Sequence, residues 1–182
     1  MKVISGKYKG RVLEGFDMVG TRPTMDRVKE SLFAMIQDSI SDSVVLDLFA
    51  GSGNLGVEAL SQGASFSYFV DSNRKAVQTI ERNLSKIRIL DAKVFCFDYL
   101  KALAFFASEK IFFDIIFLDP PYQSNYLEKS IAVIDEKNLM NEHGLIVCES
   151  DQLDKIIYSS HFQPVKEKKY GDKYIVILQK VC

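Results

Sequence analysis

From residue 44 onward the chain alternates short apolar runs with longer stretches whose apolar positions recur every three or four residues. The runs predict strands at 44–49, 66–71, 92–97, 113–119 and 144–149. The stretches between them predict helices at about 54–62, 73–87, 99–108 and 125–137. Apolar strands alternating with amphipathic helices imply a parallel sheet covered on both faces. The ending breaks this rhythm. After a short helix near 152–158, segments 162–169 and 173–180 are joined by Gly171-Asp172, which predicts an antiparallel hairpin. Ahead of residue 44, Lys2-Val3-Ile4-Ser5 and Arg11-Val12-Leu13 flank a turn containing Gly6 and Gly10 and predict a short hairpin. Pro23-Thr24 then opens a helix, with Thr24 as N-cap, Asp26 in the first turn, and Val28, Leu32, Met35, Ile36 and Ile40 at helical spacing. Without repeats or low-complexity linkers, one domain is expected. Residues 1–40 form its N-terminal extension and 41–182 its core.

Composition narrows the class. The chain has 182 residues, 47% of them hydrophobic, enough for a sizeable core. No run approaches the ~20 apolar residues of a membrane-spanning helix, and no secretory apolar region follows the first charges. A soluble, cytoplasmic protein is expected. Cys96, Cys148 and Cys182 are far apart, and His143 and His161 are isolated, so no metal site is expected. Cys96 and Cys148 sit in apolar runs and are expected to be buried.

The net charge of −1 excludes an indiscriminate nucleic-acid binder. Its distribution is uneven. Residues 1–11 carry Lys2, Lys7, Lys9 and Arg11 without an acid, and Arg22, Arg27 and Lys29 follow. Such an arm suits phosphate contact, and it suits a solvated tail equally well.

The candidate chemistry lies at the strand ends. Asp47-Leu48-Phe49-Ala50-Gly51-Ser52-Gly53-Asn54-Leu55-Gly56 carries G-x-G-x-x-G between a strand and a helix, a turn whose backbone can approach a ligand closely. Asp71, followed by Ser72, ends the next strand, where a carboxylate can accept from ribose hydroxyls. By spacing alone a dinucleotide fits almost as well as an adenosyl group. Two acids separate the readings. Asp47 beside the turn is poor for a pyrophosphate but suits a cationic sulfonium. Asp98, followed by Tyr99, offers an acceptor for an adenine amino group. Each acid alone reads best as a helix cap. Four together, Asp47, Asp71, Asp98 and Asp119, favour a site for S-adenosylmethionine.

Asp119-Pro120-Pro121-Tyr122 completes the pattern after the apolar run 112–118. An exocyclic base amine is a weak nucleophile because its lone pair is delocalised into the ring. Asp119 and the Pro120 carbonyl can accept its two hydrogens and stabilise the charge growing on nitrogen. Pro120 and Pro121 stiffen the loop, and Tyr122 can stack on the base.

With these residues in place, the chain resembles the bacterial small-subunit ribosomal RNA guanine-N2 methyltransferases of the RsmD type. The selective segments are Ile4-Ser5-Gly6-Lys7-Tyr8-Lys9-Gly10-Arg11 and Arg22-Pro23-Thr24-Met25-Asp26-Arg27-Val28-Lys29-Glu30-Ser31-Leu32-Phe33. The glycine turn and Asp119-Pro120-Pro121-Tyr122 recur across many amino-methyltransferases. The resemblance implies a Rossmann-like class I methyltransferase fold with a seven-stranded sheet of order 3-2-1-4-5-7-6, its last strand antiparallel. It implies S-adenosylmethionine bound by Asp47, Phe49, Ala50, Gly51, Ser52, Gly53, Asp71, Ser72, Asp98 and Tyr99, and catalysis by Asp119, Pro120, Pro121 and Tyr122. It also implies a guanine of 16S rRNA as substrate, within a small subunit or assembly intermediate, with Lys7, Lys9, Arg11, Arg22, Thr24 and Arg27 toward the RNA. A monomer is expected. Asn54 stands where the family commonly has a small residue, and Tyr122 where it frequently has phenylalanine. Asp119-Pro120-Pro121-Tyr122 does not choose the base, so an adenine-N6 methyltransferase is the alternative within this chemistry. A non-catalytic nucleotide- or RNA-binding module is the alternative outside it.

Overall fold

The computed structural model describes residues 1–15, 23–121 and 124–181, with residues 23–25 described by backbone alone. Its centre is a seven-stranded sheet: β1 (Val44–Asp47), β2 (Phe66–Asp71), β3 (Ala92–Cys96), β4 (Phe113–Leu118), β5 (Met140–Ser150), β6 (Phe162–Tyr170) and β7 (Lys173–Lys180). The order across the sheet is β3-β2-β1-β4-β5-β7-β6. The first five strands pair in parallel, and β7 runs antiparallel to both β5 and β6. This is the expected class I methyltransferase topology.

Five helices accompany the sheet among the described residues: α1 (Pro23–Ile36), α2 (Asn54–Ser61), α3 (Arg74–Ile87), α4 (Tyr99–Ser108) and α5 (Tyr126–Glu136). Side chains alternate between the faces of a strand, and in β4 both sets are buried. Ile116 and Leu118 join Leu103, Phe106 and Ile131 on one face. Ile115 and Phe117 join Leu32, Phe33 and Ile36 on the other. A third cluster packs Val3 and Leu13 against Val57, Phe69 and Ile80, and so binds the N-terminal segment to α2 and α3.

Local departures have physical causes. The anticipated N-terminal hairpin is a single bridge, Lys2 to Val12, supported by backbone bonds such as Val3 N–H to the Arg11 carbonyl at 2.9 Å. The segment is a strap held by other parts of the chain rather than a ladder. Helix α1 begins at Pro23, so Thr24 lies inside the first turn and is not the N-cap. The helix expected near 152–158 contracts to a 3₁₀ turn at Leu153–Lys155. Strand β5 starts four residues earlier than its apolar run, because Met140 pairs with Phe113 across an irregularity in the ladder. The polar Asn141-Glu142-His143 conceals that extension, and His143 takes a left-handed φ of 59°. Cys148 is buried, and burial pushes its thiol pKa up. Cys96 is exposed, contrary to expectation, since it closes β3 at the edge of the sheet. No described helix is long and apolar enough to cross a membrane.

Candidate active site

The parallel strands end together at one edge of the sheet, and the turns leaving them build two adjoining cavities. The turn after β1 is the hinge between these cavities. Gly53 precedes α2 with φ 82°, a conformation that L side chains rarely adopt. Gly56 serves contact rather than torsion: a Cβ there would lie 2.3 Å from Phe69 Cε1, so only glycine lets α2 settle on β2. Asp71 clasps the turn from the next strand, its Oδ2 accepting the Gly51 N–H at 2.9 Å and its Oδ1 the Asn73 N–H at 2.8 Å.

The first cavity, about 390 Å³, lies between the ends of β1, β2, β3 and β4. Its walls include Asp71, Ser72, Asp98, Asp119, Pro120 and Pro121, with Phe49, Phe97, Tyr99 and Tyr126 supplying rings. Phe49 lies 5.5 Å from Tyr99 and stacks on Tyr126 at 6.2 Å with 7° between the planes. Tyr99 and Tyr126 are 4.7 Å apart. Burial, then the neighbouring Asp98 and Tyr126, push the Tyr99 pKa upward. Asp98 caps α4, accepting the Leu100 N–H through Oδ1 at 2.9 Å. Capping and ligand binding are compatible, because a carboxylate has about four acceptor sites.

These walls test the cofactor. Three carboxylates and no lysine or arginine line this cavity among the described residues. That donor set suits a nucleoside with a cationic centre and opposes a pyrophosphate. Aromatic rings and strand-end acids therefore fit an adenosyl sulfonium, whereas a dinucleotide would bring its phosphates against like charge.

The second cavity, about 370 Å³, opens on the other side of Phe49, Gly51 and Asp119, which line both. Helix α1 contributes Val28, Lys29 and Leu32, and the far strands contribute Glu149, Tyr170 and Lys173. Asp47 forms part of its floor. It is 2% exposed, and its Oδ2 accepts the Gly56 N–H at 3.0 Å. Burial pushes Asp47 up to about 7; the Asp71 charge adds to that rise and the Gly56 N–H opposes it. Desolvation also pushes Asp119 upward, with Glu149 and Asp47 adding and Lys173 opposing. Asp119 keeps surface open to the cavity, and solvent there tempers its rise. A cation between Asp47 and Asp119 would favour the anionic form of both.

The whole chain compares in the same direction. A family model described as conserved hypothetical protein 95 matches residues 1–179. Ribosomal RNA small subunit methyltransferase D of Haemophilus influenzae is 34% identical over 176 residues, covering 94% of this chain and 89% of that protein. The chain belongs to the RsmD-type methyltransferase family. YlbH of Bacillus subtilis is 45% identical over 153 residues, covering 84% of this chain and 83% of that protein. The solved structure of yhhF from Escherichia coli superposes with a TM-score of 0.87 at 31% identity, covering 99% of this chain and 97% of the other.

Within this RsmD-type frame, the site residues named from sequence separate by place. Phe49, Gly51, Asp71, Ser72, Asp98, Tyr99, Asp119, Pro120 and Pro121 share the first cavity, while Asp47, Ala50 and Ser52 line the second. Gly53 shapes the turn behind them. Lys7, Lys9, Arg11 and Arg27 are exposed outside both cavities, and Lys9 and Arg27 line one surface cleft with Lys2, Asp26 and Glu30. Arg22 and Tyr122 lie outside the described residues, and Thr24 is described only as helical backbone.

Lys29 is a correction to the basic surface. It is 3% exposed and pairs with Glu58 Oε2 at 2.9 Å, donating also to the Lys2 carbonyl and Asn54 Oδ1, each at 2.7 Å. Glu58 in turn accepts the backbone N–H groups of Ile4 and Ser5. The asparagine that departs from the family's small residue thus serves a buried knot joining the N-terminal strap, α1 and α2. Sequence reasoning missed Phe97, Tyr126, Glu149 and Lys173. Tyr126, an aromatic opening the helix after Asp119-Pro120-Pro121-Tyr122, was a readable signal. Glu149 and Lys173 become neighbours only through the pairing of β5 with β7.

Proposed function

We propose that this protein transfers a methyl group from S-adenosylmethionine to the exocyclic N2 amine of a guanine in 16S rRNA of the small ribosomal subunit. The observation that carries the reading is Asp119 on the common wall of the two cavities, where an amine on one side can meet a methyl donor on the other. When bound, S-adenosylmethionine supplies an electrophilic methyl carbon on a positively charged sulfur.

Asp71 would accept from the ribose hydroxyls and Asp98 from the adenine amino group. Phe49, Tyr99 and Tyr126 would pack against the adenine ring, and Asp47 with the Gly51–Gly53 turn would hold the methionine end. Asp119 and the Pro120 carbonyl accept the two amine hydrogens, turning the nitrogen lone pair toward the donor and stabilising positive charge as it forms. Pro121 limits the loop's freedom, and Tyr122 would supply a ring for stacking on the base. The reaction then depends mainly on placement, for which effective molarities can be large. Lys7, Lys9, Arg11, Arg22, Thr24 and Arg27 would contact the RNA backbone, and the protein would act on the subunit as a cytoplasmic monomer.

Nucleoside analysis tests this directly. The protein and labelled S-adenosylmethionine are incubated with unmodified small subunits, free 16S rRNA and DNA. N2-methylguanosine in the subunit sample is expected. N6-methyladenosine in its place would transfer the reading to the adenine alternative, and no transfer to any of the three would defeat it.

A further inference from the structure

We infer that Glu149 selects the base, its carboxylate accepting the ring N1–H of guanine while Asp119 holds the neighbouring amine. The inference rests on the guanine reading above and supplies what Asp119-Pro120-Pro121-Tyr122 lacks, a group that distinguishes one amino-bearing base from another.

The sheet sets the two acids side by side. Leu118 pairs with Cys148, so Asp119 and Glu149 follow matched residues on adjacent parallel strands, about 4.8 Å apart in the pairing direction. Both side chains line the same cavity, and their charges interact. Val28, Leu32, Leu55 and Phe49 give that cavity apolar walls suited to the faces of a base. Glu149 is further fixed by an ion pair with Lys173, at the start of β7. The hairpin tip that carries Lys173 is itself tied to α1, because the Tyr170 hydroxyl bonds Ser31 Oγ and Lys168 Nζ donates to the same atom at 3.1 Å. Glu149 is therefore mounted on strands and braced from a third element, the setting a specificity group requires.

The chemistry of the bases gives this arrangement its meaning. In guanine the N2 amine sits beside N1–H, so the edge presents donors next to each other. In adenine the N6 amine sits beside an unprotonated N1, which is an acceptor. A carboxylate is acceptor-only. Two adjacent carboxylates consequently match guanine and set Glu149 against the lone pair of adenine N1. Exclusion by an unmatched polar pair discriminates strongly, because the desolvated groups are left without partners.

The test changes the base edge on one side and the carboxylate on the other. Unmodified small subunits are compared with subunits rebuilt by RNA ligation so that 2,6-diaminopurine replaces the methylated guanine once it has been mapped. That base keeps the 2-amine but has an unprotonated N1 and an amine in place of the 6-oxygen, so it is the change of preference in the Glu149 variants that isolates N1. The wild-type protein should prefer guanine by roughly 10- to 100-fold in kcat/KM. Glu149→Gln should lose a similar factor on guanine, and because its amide can donate to N1 the preference should collapse toward unity. Glu149→Asp should keep the preference while turning over more slowly. Calorimetric affinity for S-adenosylmethionine should remain near normal in both variants, which separates a specificity effect from a folding one. An undiminished preference for guanine in Glu149→Gln would overturn the inference. Wild-type protein that forms no N2-methylguanosine would overturn the guanine reading first, and that outcome is visible without any variant.

Discussion

The two cavities share Phe49, Gly51 and Asp119, yet they are built from different materials. The first is ringed by aromatic side chains and by acids that partly face solvent, with Asp71 and Asp98 already bonded to backbone N–H groups. The second has the buried Asp47 in its floor, a nearly inaccessible Lys29–Glu58 pair behind it, and the Glu149–Lys173 pair at its far side. Acids at equivalent strand ends therefore do different work. Where water and backbone donors reach them, they are ready acceptors for a neutral nucleoside. Where burial removes water, they become sites that favour an incoming positive charge.

The largest expected effect lies behind the second cavity. Lys29→Met leaves Glu58 buried without its cation and should destabilise the fold by roughly 3–5 kcal/mol. Urea unfolding measures this, and a change below about 1 kcal/mol, the scale of an exposed pair, would mean that the knot is not the anchor it looks to be. Next comes the shared wall. Asp119→Ala should lower turnover by roughly 10²-fold or more, with cofactor affinity less affected, as followed by single-turnover transfer and calorimetry. Near-normal turnover would remove Asp119 from the reaction and dissolve the link between the cavities.

The third test concerns pH. The folded protein holds Asp47 up to about 7, whereas its ordinary value is 3.8. The folded state thus retains a proton that the unfolded chain releases, and this contribution to stability is lost as pH rises through that window. A cationic ligand favours the anion, so S-adenosylmethionine affinity should increase as pH rises toward about 7, with proton release on binding below it. Calorimetry in buffers of different ionisation enthalpy reads that proton. Asp47→Asn should abolish the release and flatten the stability slope; a variant that still releases the proton would assign it elsewhere, Asp119 being the nearest candidate.

Much of this architecture was legible because parallel strands buried on both faces cannot hide their apolar runs. Strands 66–71 and 173–180 and helix 99–108 lie where the pattern put them. Failures came where polar residues served the interior. Lys29 looked like part of a basic surface, yet it is buried because Glu58 waits opposite it from a helix beginning 25 residues later in the chain at Asn54. Asn141-Glu142-His143 looked like loop, yet it continues β5 because the ladder to β4 tolerates an irregularity. Cys96 looked buried from its apolar neighbours, and its place on the edge strand exposes it.

By itself the sequence determined the order of strands and helices, the glycine turn and the four acids at strand ends, because each is a local pattern of polarity or backbone freedom. The tertiary structure decided what those acids face. Burial, which depends on chain segments far apart in sequence, separated Asp47 from Asp98 and set their charges to different uses. Strand pairing brought Glu149 beside Asp119, and with it a means of choosing the base.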